Sequence, residues 1–412
     1  MAKKMRLLSL LLAIVMMFGL LAACGNSNTP NTPSTPGTST PGTTTPDEPS
    51  VPERQTIKIA IATCFTGNAA RGAETQLYGL QVALNQIAAS GYSKYYDFEL
   101  VKGDDMYDAT EAVTVANKLV YQDEVKAVFG HLNAVVTLAA LPIYEEAHIP
   151  CFTPSGSSAK IIESGYEYVY MTVPSDSIIA ATLINYMVDD LGLTKLGLLY
   201  CNNDQGQSGL EYVERTLAEK NMKLTATETF VATDTDFTGQ MLNFKAAGVE
   251  TVIIWGGEVT QRSIMIQQAR QLISNDILMA SDGNSSNASF VSVTQPEERS
   301  GLLYSVAWSP AFTDEMSTTY IEDFIAIDSL KQTPGAVTVR MYDGMYLLAT
   351  ALNELGPYDV NADDFTEKLN EKIKEVSYQG LQGLLDPAEN GECLNRGFVV
   401  RYNEEGNEEL VK

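Results

Sequence analysis

Residues 56–62, TIKIAIA, alternate with Ile57, Ile59 and Ile61 on one face, and they open a strand–helix rhythm that runs through most of the chain. Helical spacing follows over 73–88, with Leu77, Leu80, Leu84 and Ile87 in one stripe. A strand is predicted at 98–101 and a helix at 109–121, with Val113, Ala116, Leu119 and Val120 inward. Strand 125–129, helix 138–146 and strand 149–153 complete a first series. A second series has strands at 196–200, 228–231, 251–255, 277–281 and 301–306, interleaved with helices at 209–220, 237–247 and 263–272. Helices at 338–355 and 363–376 come late. Apolar strands separated by helices need parallel sheets covered on both faces. Two such series predict an α/β chain of two doubly wound, Rossmann-like lobes. Ligands of such sheets sit beyond the carboxyl ends of the strands, so function belongs to the loops that follow them.

The amino terminus reads as an address. Lys3, Lys4 and Arg6 precede an apolar run over 7–21, and Leu21, Ala22, Ala23 and Cys24 end it with small residues. This is a secretory signal, too short for an ordinary membrane span. The tetrapeptide resembles the bacterial lipobox, which predicts removal of 1–23 and acylation of Cys24; an ordinary cleaved signal with a chance cysteine is the alternative. Residues 25–52 are rich in Thr, Pro, Ser and Gly and have no apolar surface to bury. Their reach lies between roughly 30 Å as a coil and roughly 90 Å as polyproline. Residues 24–53 therefore read as a lipidated tether holding a globular body near an outer membrane face.

The formal charge of −25 opposes nucleic-acid binding, which needs a basic surface, and adsorption to anionic lipid. Only His131 and His148 are present and no CxxC pair occurs, so no metal site is expected. The loops carry no GxGxxG, no P-loop and no GxSxG, so neither a cofactor nor a catalytic residue is expected. Asp104 and Asp105 follow a strand and read as loop- or helix-capping acids. His131 reads as a hydrogen-bonded loop histidine. What the strand-end loops offer is hydroxyls, amides and glycines: Thr66, Gly67 and Asn68; then 130–133; then 153–158, TPSGSS. Small residues there let backbone N–H groups approach an anion, a carboxylate being the natural guest, although simple N-capping by Ser157 or Ser158 explains the last loop as well.

Several segments together resemble the solute-binding lipoproteins of ABC importers of the leucine/isoleucine/valine-binding type, which have the periplasmic binding protein-like I fold. They are FTGNAARG at 65–72, GDD at 103–105, the stretch 128–158, NNDQGQSGL at 202–210, QQAR at 267–270, SDG at 281–283 and MYDGMYLLATAL at 341–352. The resemblance implies two lobes joined by three crossings near 171–174, 303–307 and 378–383. It divides the chain into lobe one, 54–172 with 306–380, and lobe two, 173–305 with 381–412. Asn133 and Ala134 match the loop that meets a ligand carboxylate, and Ala134 lacks the hydroxyl common there. Ser155, Gly156 and Ser157 match the loop that holds ammonium and carboxylate. Asp282 matches an acid that pairs with the ammonium. Gln205 and Glu258 fall where many members carry aromatic residues, and Arg71 lies in a first loop shorter than usual.

Gln205 and Glu258 make the pocket more polar, and a leucine side chain would strand such groups at about 1–3 kcal/mol each. The expected ligand is a polar or charged amino acid, or a related small zwitterion. Arg71 could meet a second carboxylate and Glu258 a cation, or both could be rim charges. Binding closes the hinge and a membrane permease receives the solute, so no acid, base or nucleophile is needed. The expected protein is a monomer on the outer face of the cell membrane. Competing readings are an extracytoplasmic sensor with a signalling partner, a secreted hydrolase using paired acids, and a binder of another small solute such as an amide, an aromatic acid or a sugar. A sugar would stack on Trp255 or Trp308. Cys64 and Cys151 could form a disulfide or remain buried thiols.

Overall fold

The computed structural model of the chain describes residues 53–67, 69–286 and 288–412, without the side chains of 284, 286, 288 and 289. The expected signal, Cys24, the tether and Asn68 lie outside the described residues.

The first series folds as β1 (Gln55–Thr63), α1 (Ala70–Ser90), β2 (Tyr96–Asp104), α2 (Ala109–Tyr121), β3 (Ala127–Gly130), α3 (Ala134–Glu146), β4 (Cys151–Thr153) and β5 (Val169–Met171). These strands form a parallel sheet in the order β2-β1-β3-β4-β5, with Ile59 opposite both Leu100 and Ala127. The alternation in β1 serves its two faces. Ile57, Ile59 and Ile61 enter one core with Leu80, Ala83 and Ile87 of α1. Ala60 and Ala62 enter another with Ala116, Leu119 and Ala140 of α2 and α3. Val113, expected inward, lies exposed on α2.

The chain then crosses into α4 (Asp176–Asn185), which continues through one π-turn, and builds β6 (Leu196–Cys201), α5 (Asp204–Glu219), β7 (Ala226–Phe230), α6 (Thr238–Ala247), β8 (Thr251–Trp255), α7 (Val259–Leu272), β9 (Leu278–Ser281), α8 (Ala288–Val293), α9 (Pro296–Arg299) and β10 (Leu303–Val306). It returns with α10 (Glu315–Ile327), α11 (Ala336–Leu355), α12 (Phe365–Glu375) and a hairpin of β11 (Tyr378–Gly380) and β12 (Gly383–Leu385), and ends in β13 (Phe398–Tyr402) and β14 (Glu408–Leu410). The second sheet has the order β14-β13-β10-β9-β8-β6-β7, with β13 and β14 antiparallel to their neighbours. This edge pair, like β5, α4 and α10, carries no strong period and was not predicted.

Val306 belongs to the second core, whereas Ala307 and Trp308 belong to the first. The third crossing lies later than expected. Leu381, Leu385, Cys393 and Leu394 pack in the first core, and the second regains the chain at Val399 and Val400. Buried Asp343 of α11 explains this, because its carboxylate accepts from the N–H groups of Leu381 and Gln382, both at 2.9 Å. The Gln382 amide reaches on to the Thr172 carbonyl at 3.2 Å. All four described cysteines are free and buried, so Cys64 and Cys151 are the thiols of the second alternative. Trp255 and Trp308 are fully buried and offer no face for a sugar.

Candidate functional site

Three helices that meet the cleft, α3, α5 and α7, start earlier than predicted, whereas α2 begins at Ala109 as expected. α3 begins at Ala134 and α5 at Asp204, behind Asn133 and Asn203, whose side chains accept from Val136 N and Gly206 N at 2.9 Å each. α7 begins behind Glu258, whose own N–H is taken by Gln261 Oε1 at 3.1 Å. Such caps satisfy first-turn donors that have no partner within the helix. The first turns were missed because they face the cleft, where small and polar residues replace the apolar ones that reveal a helix.

These helix starts and the ends of β2, β3, β4, β6 and β8 line a cleft of about 910 Å³ between the two sheets. From the first lobe come Tyr107, Asn133, Ala134 and residues 155–158; from the second, Cys201, Asn203, Gln205, Gly257 and Glu258. Seven of the nine expected site residues thus meet in one place: Asn133, Ala134, Ser155, Gly156, Ser157, Gln205 and Glu258.

Residues behind the wall hold the 153–158 loop. Gln76 of α1 donates to Ser155 Oγ at 2.9 Å and accepts from Thr63 Oγ1 at 2.7 Å, which fixes the direction of its amide. Arg340 of α11 donates to the Pro154 carbonyl at 3.1 Å; burial lowers its pKa to about 10, and it has no salt bridge among the described residues. Gly156 is tightly fitted: a Cβ there would lie 3.2 Å from Ala134 Cα and 2.5 Å from Ile161 Cδ1, which would have to turn aside. Gly206 must be glycine, because a Cβ would stand 1.8 Å from the Cys201 carbonyl oxygen, a backbone atom.

Two expected site residues are elsewhere. Asp282 is 2% exposed and does not line the cleft. Its carboxylate accepts from Gly256 N at 2.7 Å and from Arg262 Nη2 at 2.9 Å. Arg262 is wholly buried and also donates to the Gly256 carbonyl at 2.8 Å. The acid expected to meet a ligand ammonium is therefore already neutralised by a guanidinium. Arg71 is also committed, to Glu74 at 2.8 Å, Asp328 at 2.9 Å and Gln332 at 3.0 Å, and it does not line the cleft.

The structure adds one residue to the cleft lining and one buried acid behind it. Tyr107 follows β2 in a loop where Met106 and Tyr107 both adopt left-handed φ, 52° and 62°. Asp105 holds that loop by accepting from Tyr107 N at 2.9 Å, and is itself bonded to His131 Nδ1 at 2.7 Å; His131 Nε2 reaches Tyr144 Oη at 3.2 Å. The Asp104–Asp105 pair and His131 are thus loop-holding groups. Burial and the negative charge of Glu258 raise the pKa of the Tyr107 phenol. Asp176, the first residue of α4, is not in the cleft lining but holds the 155–158 loop from behind. It is fully buried, its N–H donates to the Ser157 carbonyl at 3.0 Å, and burial pushes its carboxyl up to about 7. In sequence it is only a polar residue at a helix start.

A family model described as periplasmic binding protein matches residues 56–407. The chain is 27% identical over 346 residues to the leucine-, isoleucine-, valine-, threonine-, and alanine-binding protein of Pseudomonas aeruginosa, covering 84% of this chain and 89% of that one. It is 27% identical to the Leu/Ile/Val-binding protein of Escherichia coli K12, covering 84% and 90%. Among solved structures it resembles the branched-chain amino acid transporter substrate binding protein LivJ of Streptococcus pneumoniae in complex with isoleucine, with TM-score 0.73, 22% identity and coverage of 87% and 99%. It also resembles a solute binding protein of R. palustris in complex with benzoate, with TM-score 0.72, 15% identity and coverage of 86% and 95%.

Proposed function

The chain belongs to the periplasmic binding protein family, and from that premise we propose that it is the substrate-binding component of an ABC importer, taking a polar amino acid or related zwitterion into the cleft between its lobes. The observation that carries this reading is the cleft wall, in which Asn133, Ser155 and Ser157 of one lobe face Gln205 and Glu258 of the other. Because both lobes supply lining, a ligand that contacts both favours the closed form by its differential affinity, and closure presents the loaded protein to a permease. No bond is made or broken in this cycle. A branched-chain amino acid is the second reading, favoured by the printed specificities of the two bacterial relatives. Against it, an aliphatic side chain would bury Gln205 without a ligand partner, at about 1–3 kcal/mol, and would face the carboxylate of Glu258, the N-cap of α7.

Thermal unfolding of the purified monomer with each of the twenty amino acids tests this reading. A ligand at 100 times its Kd adds about 2.7 kcal/mol, which raises Tm by roughly 3–4 °C in a body of this size. The expected result is a shift with a polar or charged amino acid. A shift confined to leucine, isoleucine and valine supports the second reading; no shift with any amino acid sinks both amino-acid readings and moves the weight to other small solutes.

We further propose that residues 1–23 are removed, that Cys24 is acylated, and that the 24–53 segment tethers the body to the outer face of the cell membrane. Cys24→Ser is expected to move the protein from the membrane fraction to the soluble fraction. Retention of the variant in the membrane fraction would refute the anchor.

A further inference from the structure

The helix caps divide the cleft into two electrostatic ends. Each helix N-terminus carries roughly half a positive charge. α3 and α5 are capped by the neutral side chains of Asn133 and Asn203, which leave that field in place. Asp204 in the first turn of α5 is paired with Lys160 at 2.7 Å. Behind the adjacent 155–158 loop stands the buried guanidinium of Arg340. Ser158, which lines the cleft and is 1% exposed, has a buried hydroxyl with no partner among the described residues. This end suits a carboxylate.

At the other end the helices are capped by acids. α2 begins behind Asp108, whose carboxylate accepts from Thr110 N at 2.7 Å and Glu111 N at 3.1 Å, and α7 begins behind Glu258. The field of these helix ends is thereby reversed. Tyr107, next to Asp108 in the chain, is half-exposed and lines the same cleft as Glu258 of the other lobe. No lysine or arginine is found among the described residues that line the cleft. A cation over an aromatic face and beside a carboxylate is favoured twice, by the ring quadrupole and by charge.

We infer that the cleft takes an amino acid bearing a side-chain cation, its carboxylate at the 155–158 loop and its ammonium or guanidinium between Tyr107 of one lobe and Glu258 of the other. This rests on the amino-acid reading above and names the substrate class within it. The site spans the two lobes, so the cation favours closure as well as binding.

Calorimetric titration of the purified protein with L-arginine, L-lysine, L-glutamine, L-glutamate and L-leucine is the test. Arginine or lysine is expected to bind at least about tenfold more tightly than glutamine, since each charge-assisted contact exceeds a neutral one. Glu258→Gln should erase that preference while changing glutamine affinity less than about threefold. Tyr107→Leu should weaken the cation by roughly 3- to 30-fold. Unchanged melting of each ligand-free variant shows that it is folded. Equal or tighter binding of glutamine, glutamate or leucine, or indifference of the cation to Glu258→Gln in a folded variant, overturns the inference and leaves the amino-acid reading standing. Failure of all five to bind overturns this inference, and the twenty-amino-acid screen then decides separately whether the amino-acid reading falls too.

Discussion

Replacing Arg262 by methionine is expected to destabilise the protein by about 3–5 kcal/mol, lowering Tm by roughly 4–7 °C. The cause is Asp282, a carboxyl at 2% exposure that would lose the guanidinium 2.9 Å away. Gly256 N–H would remain as a donor, but a neutral donor does not replace a counter-ion. Asp282→Ala should cost a similar amount, since it leaves Arg262 buried with only carbonyl and hydroxyl partners. A double variant, Arg262→Met with Asp282→Leu, should recover most of the loss, because two apolar groups need no solvation. Denaturant titration of all three variants measures this. If Asp282→Ala left stability unchanged and abolished only ligand binding, the resemblance-based assignment of Asp282 as the ammonium partner would be right and the pairing described here would carry no weight.

Stability is expected to fall as pH rises from about 4 to about 8. Burial pushes the carboxyls of Asp176 and Asp343 up to about 7, and raises Glu392 and Glu408 as well. An unfolded aspartate titrates near 3.9. Between those values the folded protein holds protons that the unfolded chain has released, so the slope of stability against pH is negative. The stabilisation is fully present below the unfolded value and is lost as pH rises through about 7. Asp176 and Asp343 are each worth on the order of a few kcal/mol over that interval. The exposed carboxyls of Asp108 and Asp236, held below their usual range mainly by hydrogen bonds, act in the opposite sense. Chemical denaturation at pH 5 and pH 8 gives the sign directly. Asp176→Asn should flatten the dependence, because the amide has no proton to lose. Equal stability at the two pH values, untouched by that substitution, would show that Asp176 is hydrated and ionised in the native protein.

The two lobes were legible because their evidence is local. TIKIAIA alternates whatever lies beyond it, and the stripe of Leu80, Ala83 and Ile87 faces the core because a helix has a fixed period. Strand ends carry the ligand loops in any doubly wound sheet, so Asn133, Ser155 and Ser157 could be marked as site candidates before any distance was known, and the family resemblance added Gln205 and Glu258. Their family resemblance sharpened the choice, and the cleft between the sheets gathers them.

Tertiary structure alone decided the electrostatics. Arg262 looks in sequence like one more polar residue of an exposed helix, yet twenty positions on it meets Asp282 at 2.9 Å, because α7 and the end of β9 converge behind Gly256. Arg71 has no local signal for Asp328, a residue more than 250 positions away that lies 2.9 Å from it. Tyr107 belongs to a short loop without a period, and only the approach of the second lobe sets it near Glu258. The third crossing was displaced for a similar reason, since it depends on a buried Asp343 capturing the backbone of Leu381 and Gln382. Hydrophobic periodicity is a property of consecutive residues and survives without the fold. The partner of a buried charge is chosen by distance in space, which the sequence by itself does not contain.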